Sequence, residues 1–406
     1  MKFIKTSLLL SLLLSDAFGS ESLSSSTKHA LFSLAPEGHW AIEVERKNRT
    51  TQKHYNNSGK ESLIGEEYNG INLNQDIFPS LAIFGEGATL GKTQTDMALD
   101  FDYTTLRLGY GVTKDLTIGV IVPYREKRTK VNFSISDGNI GLNPKFNATQ
   151  SISAQNSPYL PTSVAGVTPL TTAQLQDILA SKGLEYKPLE TIERSGFADP
   201  TVGLIYNAYS SSEDAFVLSL GYNIPMAEKD DPDVLIPTNI GDGNPTLRLR
   251  LEYFKDLEYD FDLYGKFEYG LELEDKVTKR VPKEGEFLAP KSSTERLNRD
   301  IGDYRIYNVG VGKTWGEYRA SVAWRKSEKD ADTYYSAKGT DVSMLENNTV
   351  ASSSQFEGSL SWSGVDAWRE GTMPLPLVVT LNYRDRYEGE NSLKWQEVYL
   401  NVTSFF

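Results

Sequence analysis

Apolar and polar residues alternate with a period of two along most of this chain. In Phe216, Leu218, Leu220, Tyr222 and Ile224 every second residue is apolar, with Val217, Ser219, Gly221 and Asn223 between them. Tyr259, Phe261, Leu263, Phe267, Tyr269, Leu271 and Leu273 repeat the rule with Asp260, Asp262, Lys266, Glu268, Glu272 and Glu274 interleaved. Successive side chains of an extended strand point to opposite faces, so each segment has one greasy face and one polar face. Strands of soluble sandwiches usually run about five or six residues, whereas the segment from Tyr259 to Leu273 is long enough to cross a bilayer when tilted. The pattern predicts an all-β fold, an antiparallel transmembrane β-barrel of about twelve strands, with fourteen as the alternative count. The strands are expected over 39–48, 96–112, 116–134, 198–209, 213–226, 244–256, 258–274, 303–315, 317–330, 354–364, 376–388 and 394–406. Most connections alternate between short turns, such as Thr113 to Asp115, and long loops at 49–95, 135–197, 227–243, 275–302 and 331–353. That asymmetry is the one expected of an outer-membrane barrel with long extracellular loops. The stretches at 365–375 and 389–393 depart from it, the first longer and the second shorter than expected. Tyr and Trp tend to end the apolar stripes, where a ring sits in lipid and its polar atom reaches water.

The N-terminus changes the compartment. Lys2 and Lys5 precede an apolar run through Leu14, and Ala17-Phe18-Gly19 follows as a small-x-small site. A cleavable export signal is expected over 1–19, an N-terminal periplasmic segment over 20–38, and the barrel over 39–406. Past the signal no stretch approaches the run of about 20 apolar residues that a membrane helix needs. The chain has no cysteine, which removes disulfides, thiolate metal sites and cysteine nucleophiles together. Its formal net charge of −13, from 42 basic and 55 acidic residues, disfavours nucleic acid as a partner, because a polyanion needs a basic face.

If the greasy stripe faces lipid, Arg107, Arg248, Arg250, Lys266, Arg319, Arg325, Arg384 and Arg386 project into the lumen. Glu252, Asp260, Asp262, Glu268 and Glu272 are expected beside them. Two readings follow: an interlocked salt-bridge network that fills the barrel, or a basic strip that selects anionic or polar solutes. Alternation does not choose between them. Catalytic, cofactor and metal sites are not expected. Histidine occurs only at His29, His39 and His54, and nothing later supplies a strand-borne base for hydrolysis. The glycine-rich run Gly85 to Lys92 lacks the ending of a phosphate loop, since Thr93 follows with the first glycine at the wrong spacing. Within the loops, Leu175, Ile178 and Leu179 have helical spacing, with Gly183 as a stop. The apolar run Ile77 to Gly91 suggests an inward plug or greasy entry site, or an extra strand.

Four segments carry a resemblance: LRLGYGVTKDLTIGVIVPY (Leu106 to Tyr124), SGFADPTVGLIYN (Ser195 to Asn207), LSLGYNIP (Leu218 to Pro225) and IGDGNPTLRLRLEY (Ile240 to Tyr253). In order and content they resemble the outer-membrane family named for the meta pathway of phenol degradation. The family's usual Ser-Gly-Leu-Gly-Asp stands here as Ser195-Gly196-Phe197-Ala198-Asp199, and its Pro-Thr-Gly as Pro225-Met226-Ala227. The resemblance implies a barrel and transport and supplies no catalytic residue. The final strand ends on Phe406, and resembles the C-terminal signal read by the outer-membrane assembly machinery, with Ser404 where an apolar residue is usual. The expected function is an outer-membrane channel or uptake barrel for small molecules, hydrophobic or aromatic ones among them. Its expected partners are outer-membrane lipid, the assembly machinery and a small-molecule solute. The alternative is a structural or adhesive barrel whose long loops bind partners.

Overall fold

Hydrocarbon offers no water to an unpaired backbone N–H or C=O, so a chain that crosses it as strands must pair every strand on both edges. The computed structural model describes residues 34–84, 87–138, 162–163, 166–167, 172–181, 183–236, 239–286 and 288–406; the expected export signal lies outside them. Twelve antiparallel strands form the wall: β1 (Trp40–Thr51), β2 (Thr89–Thr113), β3 (Leu116–Ser136), β4 (Thr201–Ser210), β5 (Asp214–Asn223), β6 (Thr246–Asp256), β7 (Phe261–Glu272), β8 (Tyr304–Trp315), β9 (Tyr318–Lys329), β10 (Ala351–Ser363), β11 (Leu377–Glu390) and β12 (Gln396–Phe405). Each pairs with its sequence neighbour, and β1 pairs with both β2 and β12. The barrel is therefore closed. Phe406 exchanges backbone hydrogen bonds with Trp40 at the seam, 3.0 and 2.9 Å. Two further strands join the same sheet outside the closed ring, Asn72–Asn74 on β2 and Ile192–Phe197 on β3. All twelve segments predicted from alternation are present.

On β7, Leu263 and Leu271 are 41% and 38% exposed while Asp262 and Glu268 are 1% and 4% exposed. Exposed apolar residues on the outer wall are lipid-facing here, so the greasy faces point outward as the pattern required. Tyr209, Tyr253, Trp315 and Tyr318 lie outward near one set of turns, and Tyr222, Trp324 and Tyr383 lie outward toward the other rim. The Trp324 indole donates to the Tyr387 hydroxyl at 3.1 Å.

Three expectations change. The alternation from Tyr259 overruns its strand: Glu258–Asp260 is a 3-10 turn with φ of 60° at Tyr259 and 58° at Asp260, and both side chains are exposed. Asp260 is thus a turn residue and not a lumen residue. The run from Ile77 forms neither plug nor whole strand; Pro79–Phe84 is a 3-10 helix that buries Phe78 and Leu81, and only Thr89 onward enters β2. Loop 275–302 holds strands Asp275–Arg280 and Thr294–Asp300, which pair with each other and with Thr333–Tyr335 in a small sheet above the barrel. Val277, Val281, Leu297 and Tyr334 form its core. The helix expected near Leu175 is present over Thr172–Ser181, and Gly183, at φ 78°, follows it. The long 365–375 connection carries a short helix, Val365–Arg369. In the short 389–393 link begins a strand, Ser392–Lys394, that pairs with Lys53–Tyr55.

The two faces of β7 give opposite mutational outcomes. Phe267→Arg, midway along β7 on the lipid side, places a charge in lipid at about 2–4 kcal/mol and is expected to abolish the heat-modifiable folded band. Lys266→Leu, on the lumen side, is expected to keep it; equal loss in both variants reverses the faces. The chain also lacks cysteine, so labelling on intact cells reads topology cleanly. A cysteine at Lys283 is expected to react with an impermeant maleimide and one at Lys114 is not; the reverse pattern inverts the orientation.

Candidate functional site: the barrel lumen

Twelve strands leave an interior between the filled eight-stranded barrel and the open sixteen-stranded pore. Side chains occupy much of it. Ala215, Val217, Phe254, Tyr264 and Ala323 form an apolar cluster on the inner wall. Charges held beside such a wall must be paired, because an unpaired buried ion loses its hydration without return. Arg107 bridges Glu43 and Glu45 across β2 and β1. Arg248 reaches Glu268 at 2.6 Å, and the Tyr304 hydroxyl donates to the same carboxylate at 3.0 Å. Arg250 lies 2.6 Å from Glu252. Arg319 grips both oxygens of Asp262 through Nε and Nη2, at 3.1 and 2.6 Å. Arg384 meets Glu357 at 2.8 Å and Glu397 at 3.7 Å. Arg386 donates to the Leu393 carbonyl at 3.0 Å and stacks 4.7 Å from the Trp395 ring. Lys266 is buried with its ammonium 5.8 Å from the Tyr264 ring, and Arg325 is buried on β9.

A cavity of about 270 Å³ is left between these side chains. Arg107, Arg248, Arg250, Arg325, Arg384 and Arg386 line it, whereas Lys266 and Arg319 do not. The opposite wall is nearly bare. Gly109 pairs with Gly119, Gly119 with Gly203 and Gly203 with Gly221, so four glycines follow one another across β2 to β5. The next residue in that row is Arg248, opposite Gly221. Toward one end the cavity reaches Tyr103, Arg49 and Trp395. Arg49 lies 4.8, 5.3 and 4.7 Å from the rings of Phe101, Tyr103 and Trp395. Cation and ring attract here through the ring quadrupole. Beneath, Leu34 and Ala35 are buried, the Ala35 N–H donates to Thr117 at 2.9 Å, and Ala35 also lines the cavity.

Alternation did not reveal Arg49, since the predicted first strand stopped one residue short of it; Glu43, Glu45 and Lys47 on the same face carried the signal. Nor did it reveal Asp199. That carboxylate accepts four backbone N–H bonds, from Met226 and Ala227 at 2.7 Å each, Asp242 at 3.0 Å and Gly243 at 2.9 Å. A carboxylate with that many donors is a strong tether, since each bond is charge-assisted. It pins both ends of the β5–β6 loop to the entry of β4. Arg125 adds a bond to the Ile240 carbonyl at 2.8 Å. The tether delivers Asp242 to the cavity wall. Burial pushes the Asp242 carboxyl up to about 7; Arg125 and Arg299 oppose the rise, and Glu272 and Asp199 add to it. The ring of His39, exposed just before β1, hydrogen-bonds the Glu37 carbonyl at 2.7 Å.

Asp199 lies in one of the four segments that carried the resemblance, and binds Asp242 and Gly243 of a second and the two residues that follow a third, Met226 and Ala227. Residues 87–284 match the family model described as MetA-pathway of phenol degradation. The matched stretch runs from β2 through β7. The crystal structure of an outer membrane channel from Pseudomonas putida F1 shares the fold, with TM-score 0.52 and 12% identity over 91% of this chain and 96% of that one. The toluene transporter TbuX of Ralstonia pickettii aligns over 98% of this chain and 99% of its own, at 8% identity and TM-score 0.37. A monoaromatic hydrocarbon channel, CymD, covers 98% and 97% at 10% identity and TM-score 0.34. No curated protein matches the chain. The chain is a closed twelve-stranded β-barrel with the fold of an outer-membrane channel.

The raised Asp242 pKa carries a sign. The folded barrel holds this proton more tightly than an unfolded chain does, so the stability it contributes is full below the usual carboxylate range and is lost as pH rises through about 7. As pH falls through about 7 the lumen also loses one negative charge. Anion-over-cation permeability of the wild-type barrel is expected to rise across that interval, and Asp242→Asn is expected to show the low-pH value throughout. Parallel pH profiles in the two proteins contradict the assignment.

Proposed function

We propose that the barrel is a passive path across the outer membrane for small solutes with an apolar or aromatic body, carrying no catalytic step. The observation that supports this reading is the cavity itself, enclosed by a wall without free strand edges and large enough for a single substituted ring: about 150 Å³ accommodates benzene. A purely structural barrel has no need of such space, because its interior is stabler when filled. Aromatic faces at Tyr103 and Trp395 and the glycine wall suit a flat apolar body. Export by a signal over 1–19 and assembly through the strand ending at Phe406 belong to the same proposal, as does a periplasmic position for residues 20–38.

Liposome swelling tests it. Vesicles holding the refolded mature chain are expected to swell in a pentose and in benzyl alcohol but not in a dextran. A folded barrel that admits none of them favours the adhesive alternative.

A further inference from the structure

The solute path differs in sign from the molecule. The chain carries −13, yet nine Lys and Arg side chains against six Asp and Glu line the cavity. The imbalance is directed. Of the paired lumen arginines, Arg248 and Arg250 keep 21% and 19% of their side chains exposed, against 5% for Arg319 and Arg384. Each has one carboxylate partner, Glu268 or Glu252, and a guanidinium has five N–H donors, so neither pair exhausts its arginine. Both stand next to the glycine wall, with Gly221 opposite Arg248 and Ser219 opposite Arg250. A flat ring laid on that wall meets backbone at Gly119 and Gly203 and the Thr117 and Thr201 methyls beside Gly109 and Gly221, and its edge reaches guanidinium. A neutral hydrocarbon leaves those charges unused and removes water from them, which is unfavourable. A cation meets the wrong sign. A bare inorganic anion has no use for the glycine wall.

We infer that the cavity binds a small planar aromatic anion, one ring bearing one carboxylate, with the ring on the Gly109–Gly221 wall and the carboxylate toward Arg248 and Arg250. This rests on the passive-path reading and names its solute class. Carboxylate and guanidinium make charge-assisted, paired hydrogen bonds, which are the strong ones in a partly dry site. The approach fits the same chemistry. Trp395 has Arg49 and Arg386 each 4.7 Å from its ring, so a solute passing it meets both π-faces and guanidinium planes, each of which stacks on an aromatic ring.

Single-channel recording of the refolded mature chain in planar bilayers tests it with three probes: benzoate, benzyl alcohol and acetate. Benzoate is expected to interrupt the current at about one-tenth the concentration that either of the others needs, the difference of one good polar contact. Arg250→Gln combined with Glu252→Gln removes the guanidinium together with its partner, so no buried charge is orphaned. That variant is expected to lose about tenfold in benzoate block. Equal block by benzoate and benzyl alcohol overturns the proposal in favour of a merely greasy path. Equal block by benzoate and acetate overturns it in favour of a merely electropositive one. Either result leaves the passive path standing. A folded barrel that conducts no ions and swells no liposomes overturns the path itself, and the solute class with it. The wild-type comparison of the three probes decides whether or not the double variant folds.

Discussion

Closure of the hydrogen-bonded ring is the constraint on which the other features depend. In hydrocarbon each unpaired backbone group costs several kcal/mol, so a sheet with an edge is excluded there. Pairing of β1 with both β2 and β12 removes the last two edges, and the bonds between Trp40 and Phe406 carry the closure to the chain end. Once the ring is closed, each strand has one face toward lipid and one toward a confined interior. The period of two follows from that geometry, and so does the sharp contrast between Leu263 and Asp262.

The confined interior sets the second level of organisation. Charges admitted there for solubility of the inner face lose most of their water, and the structure answers with pairs across adjacent strands: Arg248 with Glu268, Arg319 with Asp262, Arg384 with Glu357 and Glu397. The two sequence readings of these residues, a packed network and a basic strip, are therefore not exclusive. Pairing fills the barrel on the side of β7 to β11, while the glycines of β2 to β5 leave space on the other. Side-chain volume decides where the cavity lies. Charge decides what its wall presents.

The wall was legible in the sequence because lipid and lumen impose the largest contrast a strand can carry, and twelve segments showed it. Where that contrast fades, so does the reading. Asp260 continues the alternation of β7 by accident of composition, but the chain turns at Tyr259, so parity no longer reports a face. The apolar run at Ile77 satisfies itself as a 3-10 helix above the barrel, where alternation has no meaning. Asp199 escapes for another reason. Its four partners are backbone N–H groups of residues 27 to 44 positions away, and a backbone donor leaves no mark in composition. The only trace is that Asp199, Met226 and Asp242 each fall in or beside a family motif. It also explains why Met226 and Ala227 replace the family's Thr-Gly without harm to the tether, since the N–H groups are unchanged.

Opposite signs on the outside and inside act over different ranges. At physiological ionic strength surface charges are screened within about 8 Å, so the negative excess of the chain reaches little beyond its own loops. Inside the lumen, low-dielectric walls and scarce water keep the field of the lining arginines from being screened in the same way. A solute approaching from bulk therefore feels little of the −13, and feels the basic lining once it reaches Trp395, where Arg49 and Arg386 stand. Selection by charge thus acts together with selection by shape, because the aromatic and glycine surfaces are met in the same narrow space where the guanidinium groups act.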